Sequence, residues 1–155
     1  MRIHLIAVGQ RMPDWVEAGY QEFSKRLSAE CTLQLVELAP GKRGKGMDVA
    51  RAMRDEAKRM VDAIPKGALV IALDQRGREW DTQELSQQLA DWLQLGRDVA
   101  LLIGGPDGLA EECMALAERK WSLSRLTLPH PMVRIVVAEQ IYRAWSILKN
   151  HPYHR

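Results

Sequence analysis

The residues able to do chemistry gather in a glycine-rich loop, an irregular segment after it, and the C-terminal tail. Gly104-Gly105-Pro106-Asp107-Gly108 breaks off the apolar run Val99–Ile103. Such a loop carries little side-chain bulk, so a ligand can come close to main-chain N–H and C=O groups. A strand, then this loop, then a helix is the place where an open α/β sheet takes its ligand. Residues 121–130 read Trp-Ser-Leu-Ser-Arg-Leu-Thr-Leu-Pro-His and form the second irregular segment. Leu73 ends another apolar run, residues 68–73. In a parallel sheet Leu73, Gly104, Gly105, Pro106 and residues 122–128 would meet along one edge. Their backbone amides and apolar side chains suit an adenine-like or thioether group better than a triphosphate. There is no GxGxxG, and Gly41 and Gly46 have P-loop spacing but Met47 stands where the lysine belongs.

His130 lies between Pro129 and Pro131, which hold the backbone extended ahead of a helix. It reads either as part of a helix-entry turn or as a proton-transfer group. The tail His151-Pro152-Tyr153-His154-Arg155 contains an HxxH pair. Pro152 rules out two ligands on one helical face, and no cysteine or acidic partner is near, so no metal is expected. The tail otherwise combines a stackable ring, two imidazoles and a guanidinium, a set suited to a base and a phosphate. An untethered terminus of this kind would be disordered. Gly41-Lys42-Arg43-Gly44-Lys45-Gly46 is a basic loop, either solvated or in contact with a phosphate backbone. Arg134 and Tyr142 fall on the last helical pattern, where an ion pair or a subunit contact competes with a site role.

A length of 155 residues predicts a single domain spanning 1–155. A chain this size buries roughly 70% of its unfolded surface, so it needs neither disulfide nor metal to fold. Cys31 and Cys113 are far apart and in no CxxC pattern, which fits reduced thiols in a cytoplasmic protein. The apolar run at residues 3–8 is too short for a signal peptide, and no stretch reaches the length of a membrane span. The 22 basic and 20 acidic residues leave a net charge of +2, so any nucleic-acid claim rests on local clustering.

The elements that must position these groups follow from periodicity. Residues 3–8 read as a buried strand. A helix starts at residues 12–14 and carries Trp15, Val16, Tyr20, Phe23 and Leu27 at a 3.6-residue repeat. Thr32–Leu38 reads as a strand. Residues 48–64 form a helix with Val49, Met53, Met60, Val61 and Ile64 on its apolar repeat. Residues 68–73 form a strand covered on both faces and ending at Asp74. Asp81-Thr-Gln-Glu84 resembles a capping box and opens a helix that Gly96 closes. Val99–Ile103 is the next strand, a weaker helix covers 109–118, and residues 126–128 are a short strand or extended piece. The last helix runs from about Pro131 to about Lys149, with Val133, Val136, Val137, Ile141, Ala144, Trp145 and Leu148 as its stripe. Alternating strands and helices predict an α/β domain with a mostly parallel sheet flanked by helices.

Several motifs together resemble a known family. They are Leu102-Ile-Gly-Gly-Pro-Asp-Gly-Leu109, Trp121-Ser-Leu-Ser124, Thr127-Leu-Pro-His-Pro131, Arg134, Tyr142-Arg-Ala-Trp-Ser146 and Asn150-His-Pro-Tyr-His154. Ala7-Val-Gly9, Pro13-Asp-Trp15 and Gly41-Lys-Arg-Gly-Lys45 add to them, so the likeness covers the full chain. It is to the RlmH family, large-subunit (23S) ribosomal RNA pseudouridine methyltransferases of the SPOUT class. The resemblance implies a C-terminal trefoil knot, which periodicity does not show and general topology disfavours. It implies a homodimer whose active sites are completed by both subunits. It implies methyl transfer from S-adenosylmethionine to N3 of a pseudouridine in a ribosomal RNA hairpin loop. A chain of 155 residues with modest charge has little surface for reading RNA sequence, so an assembled ribosome rather than naked RNA is the expected partner, a choice the sequence leaves open. Carried over, the cofactor contacts are Leu73, Gly104, Leu123, Ser124, Arg125, Leu126, Thr127 and Leu128, with Gly105 and Pro106 as neighbours. His154, or else His130, is the candidate base. Arg134, Arg125 and Arg155 are candidates for phosphate or base-carbonyl contacts, beside Lys42, Arg43 and Lys45. Tyr142 and Tyr153 are candidates for stacking. The competing expectations are a ribosome-associated RNA-binding module without chemistry, and a flavodoxin-like ligand-binding domain that would not need the tail.

Overall fold

A computed structural model describes residues 1–155. Five strands alternate with five helices: β1 Arg2–Val8, α1 Asp14–Ser24, β2 Thr32–Leu38, α2 Val49–Ala63, β3 Leu69–Glu79, α3 Thr82–Leu95, β4 Val99–Ile103, α4 Glu111–Leu116, β5 Arg119–Ser122 and α5 His130–Leu148. The strands form one parallel sheet in the order β2-β1-β4-β3-β5.

The two central strands explain the layering. Alternate residues of a strand face opposite sides. Ile3, Leu5, Ala7, Val99, Leu101 and Ile103 pack with Tyr20, Leu85, Leu89, Trp92, Val137 and Ile141, so α1, α3 and α5 cover one face. Ile6, Val8, Ala100 and Leu102 pack with Ala57, Met60, Cys113 and Met114, so α2 and α4 cover the other. Both faces are covered, which is why β4 is apolar throughout and fully buried.

Local signals set the helix ends. The Asp48 side chain accepts from Ala50 N at 3.0 Å, and that of Asp81 from Glu84 N at 2.8 Å. Each such cap stabilises a helix by about 1 kcal/mol. Gly96 closes α3 in the left-handed region at φ 70°. Where α1 crosses α5, a Cβ on Gly19 would come within 2.8 Å of Ile135 Cδ1, so any side chain there makes Ile135 shift.

The fold corrects several expectations. β3 does not stop at Leu73: it bulges out over residues 74–77 and pairs again through Arg78 and Glu79. The fifth strand is Arg119–Ser122, whereas residues 126–128 are irregular. Trp15 lies 56% exposed, and α1 ends before Leu27. On α2 the buried face is Ala52, Glu56, Ala57 and Met60, while Val49 and Val61 point outward. On α5, Leu148 is exposed, and Arg134, Tyr142 and Ser146 join the buried face.

Candidate active site

The bulge of β3 and the C-terminal ends of β4 and β5 surround a cavity of about 730 Å³. That volume is ordinary for a small-molecule site. Its wall includes Leu73, the whole loop from Gly104 to Gly108, and Trp121, Ser122, Leu123, Ser124, Leu126 and Leu128. Thus Leu73, Gly104, Gly105, Pro106, Leu123, Ser124, Leu126 and Leu128 meet in space. Arg125 and Thr127 face outward in the same segment and do not line it.

The glycine loop is held tightly. Gly108 N–H donates to Gly105 C=O at 3.0 Å. A Cβ on Gly104 would stand 2.6 Å from Leu109 N, so any side chain there forces the turn open. The 121–128 segment is fixed by its serines: Ser122 Oγ donates to Ser124 C=O at 3.0 Å, and Leu126 N–H donates to Ser124 Oγ at 2.9 Å. Trp121, buried at the cavity's base, stacks on Trp80 with ring centroids 5.0 Å apart.

His130 and Arg134 fill the crevice between the ends of β1 and β4. Arg134 is 1% exposed. Its Nη1 donates to Glu37 Oε2 at 2.6 Å, and its Nη2 to Gly9 C=O at 2.9 Å. Nη2 also lies 3.3 Å from His130 Nε2, and His130 Nδ1 lies 3.1 Å from Gly104 C=O. A guanidinium only donates, so Nε2 must accept. The network therefore assigns neutral His130 with its proton on Nδ1, given to Gly104 C=O. Burial, then the charge of Arg134, pushes its pKa below the usual histidine value. The one basic lone pair, on Nε2, is thus committed to Arg134, and His130 is unsuited to act as a base. Arg134 is likewise not presented to an RNA phosphate: it ties α5 to the ends of β1 and β2.

The tail is ordered. Asn150 leaves α5 in the left-handed region at φ 54°, and His151 N–H donates to Ser146 C=O at 2.8 Å. Residues Pro152–His154 then make one 3-10 turn. Tyr153 packs on Tyr142 at 4.6 Å between centroids and lies under the Arg143 guanidinium at 5.0 Å. Tyr142 itself is buried, stacked against Trp145, so it offers no free ring to a base. Arg155 is exposed at the end of this turn.

His154 contrasts with His130. Ser146 Oγ spends its proton on Arg143 C=O at 2.7 Å. Its contact with His154 Nδ1 at 3.3 Å must then be a bond that Nδ1–H donates. Nε2 of His154 keeps a free lone pair. Yet Ser146 stands 16 residues beyond His130 on the same helix, about 24 Å away at 1.5 Å per residue. The two candidate bases sit at opposite ends of α5.

The basic loop divides. Lys42 and Lys45 are exposed, but Arg43 is bound by Glu56 and Asp107 and is not free for a phosphate. Sequence reasoning missed Glu37, Glu56 and Asp107 as partners. Glu56 carried a signal, since it falls on the buried repeat with Ala52 and Met60.

A family model described as "Predicted SPOUT methyltransferase" matches residues 1–154. The chain belongs to the SPOUT methyltransferase family. Over all of its length it is 59% identical to the ribosomal RNA large subunit methyltransferase H of Thioalkalivibrio sulfidiphilus, covering 99% of that protein. It is 54% identical to the protein of the same name from Methylococcus capsulatus, each chain covered in full. Among solved structures, a probable methylase family protein of Haemophilus influenzae superposes at TM-score 0.60 with 15% identity, over 99% of this chain and 70% of that one. A methyltransferase of Legionella pneumophila, solved with S-adenosylmethionine bound, superposes at TM-score 0.51 with 14% identity, over 94% and 66%. At such identities these structures speak for the SPOUT fold. No helix is long and apolar enough to cross a membrane, and no cluster of three His, Cys, Asp or Glu could hold a metal.

Proposed function

We propose that this SPOUT chain transfers a methyl group from S-adenosylmethionine to N3 of a pseudouridine in a hairpin loop of large-subunit ribosomal RNA. It does so as a homodimer on the assembled ribosome in the cytoplasm. The observation that carries the cofactor is the single cavity where Leu73, the glycine loop and residues 121–128 converge. Its residues fit the group. Leu73, Ile103, Leu126, Leu128 and Val133 give apolar walls, and Gly104 and its neighbours expose backbone. Of the cavity's carboxylates Asp74 is paired with Arg76 and Asp107 with Arg43, which leaves Glu111 for a cationic ligand. The full-length identity to ribosomal RNA large subunit methyltransferases supports the RNA.

When bound, S-adenosylmethionine supplies an electrophilic methyl carbon, so the protein need provide no nucleophile. Its own work is to hold N3 in line and take the N3 proton. His154 Nε2 is the free imidazole acceptor, oriented through Nδ1 by Ser146. About 24 Å separates that residue's anchor from the helix end at its own cavity. We therefore assign the proton acceptor to His154 of the partner subunit, so that each site needs both chains. Tyr153 and Arg155 travel with that tail to stack on and pair with the RNA. Lys42 and Lys45 meet phosphate from the cavity's own chain. The reading includes a C-terminal trefoil knot. In its favour, the chain leaves β5 at the sheet edge and returns past β3 to set His130 on Gly104 and Arg134 on Gly9.

The test is incubation with labelled S-adenosylmethionine and ribosomes lacking the modification, followed by nuclease digestion and mass spectrometry. A methylated pseudouridine in large-subunit RNA is expected. Cofactor binding without methyl transfer to ribosomes or free RNA would refute the enzyme reading in favour of a binding module.

A further inference from the structure

Glu56 is a buried carboxylate between two loops. It lies on α2 with 5% of its side chain exposed. On one side it accepts Gly41 N–H at 2.8 Å and Arg43 Nη2–H at 3.1 Å, with Nη1 of the same guanidinium on its other oxygen. On the other side, a Cβ on Gly105 would lie 3.4 Å from both of its oxygens, so the glycine loop packs directly on the carboxylate. A buried carboxylate without a counter-charge is strongly destabilising, which fixes Arg43 in place. Nη1 also reaches Gly41 C=O at 3.2 Å, and Nε is left for a second carboxylate. Nε donates to Asp107 Oδ2 at 2.8 Å, and Asp107 belongs to the cavity wall.

The basic loop and the cavity loop are therefore two ends of one bridge. Gly41 packs directly on the backbone of α2, where a Cβ would stand 2.6 Å from Ala52 Cα. Met47 N–H closes the far end of the loop onto Gly44 C=O at 2.9 Å. Between these anchors Lys42 and Lys45 point to solvent. Any shift of Asp107 as the cavity fills is passed to Arg43, and from it to the carriers of Lys42 and Lys45.

We infer that the Glu56–Arg43–Asp107 bridge couples the cavity to the basic loop. Ligand in the cavity fixes Lys42 and Lys45 in the arrangement that receives the RNA phosphates, and phosphate bound there tightens the cavity in return. Arg43 is a positioning residue in this scheme. The reciprocity is required of any such coupling, whose usual size is about 5- to 150-fold in affinity. The inference rests on the cofactor reading above.

Hydrogen exchange on the full-length protein tests it, with S-adenosylmethionine as the probe and calorimetry reporting occupancy. The amides of Gly41 and Met47 do not line the cavity. In the wild type, saturating S-adenosylmethionine should slow their exchange by about 5-fold or more, the lower end of ordinary coupling. Asp107→Ala removes the acceptor at only the exposed end of the bridge and leaves Glu56 and Arg43 paired. At equal saturation it should lose that protection, and Arg43→Lys, which cannot fork to both carboxylates, should retain less than the wild type. A bound wild type without protection at Gly41 and Met47, or an Asp107→Ala variant that keeps it in full, overturns the coupling alone. A wild type that gives no binding heat overturns the cofactor reading and the coupling together.

Discussion

Replacing Arg134 by methionine separates a structural role from an RNA contact. The side chain is 1% exposed, and its guanidinium serves Glu37, Gly9 C=O and His130 at once. Methionine fills much of the volume but leaves Glu37 without its cation and Gly9 C=O without a donor. Breaking a buried ion pair costs about 3 to 5 kcal/mol. Glu37 keeps 31% of its side chain exposed, so water recovers part of the loss and about 3 kcal/mol is the fitting end of that range. An unfolding entropy of about 2.1 cal/mol/K per residue gives about 0.33 kcal/mol/K for 155 residues. Tm should therefore fall by about 9 °C, read by circular dichroism with no RNA present. Releasing His130 also frees Gly104 C=O, so affinity for S-adenosylmethionine should drop in the same variant. A Tm within about 2 °C of the wild type would refute the buried-tie account and return Arg134 to the solvent, where an RNA contact belongs.

Gly104→Ala should weaken S-adenosylmethionine binding by about 10-fold or more in calorimetry, because the added methyl stands 2.6 Å from Leu109 N; unchanged affinity would mean the turn is not part of the pocket. His154→Gln should lower kcat by about 100-fold or more with the cofactor Kd held within about twofold, and a near-normal turnover would remove it as the base. His130 has a folded pKa below its ordinary value. As pH falls through the ordinary histidine range near 6.5, the unfolded chain takes up the proton first, so stability present above that range is lost toward the folded value. Wild-type Tm should fall more steeply than that of His130→Gln between about pH 7.5 and 5, and parallel curves would contradict the assignment. Lys42→Ala with Lys45→Ala should weaken RNA binding and lower its salt slope by about 1 to 2, while leaving cofactor affinity in the absence of RNA unchanged.

Much of the frame was legible because burial on both faces leaves a continuous apolar trace. Thr32–Leu38 and Val99–Ile103 have the bounds their sequence predicts. β5 was not legible: Arg119 and Lys120 are exposed on an edge strand, so only Trp121 and Ser122 carry a burial signal. Leu126 and Leu128 drew the strand reading instead, but Leu126 is 74% exposed at the cavity rim and serves no core. The cavity was predictable because its parts sit at strand ends, where backbone geometry alone brings them together. The polar partners were not, because each joins residues far apart in sequence: Arg134 to Glu37 and Gly9, Arg43 to Asp107. The choice between the histidines depended on bonds that are local but tautomer-specific, since only Ser146 and Arg134 show which imidazole has a free nitrogen.

Mixing two inactive variants tests the shared site most directly. Gly104→Trp blocks the cavity of one subunit, and His154→Ala removes the tail base of the other. If each site joins one chain's cavity to the partner's tail, the mixed dimer regains one intact site. Random pairing then restores about a quarter of wild-type methylation on ribosomes. Activity no higher than that of either variant alone, in a mixture shown to exchange subunits, would contradict the account and confine each site to a single chain.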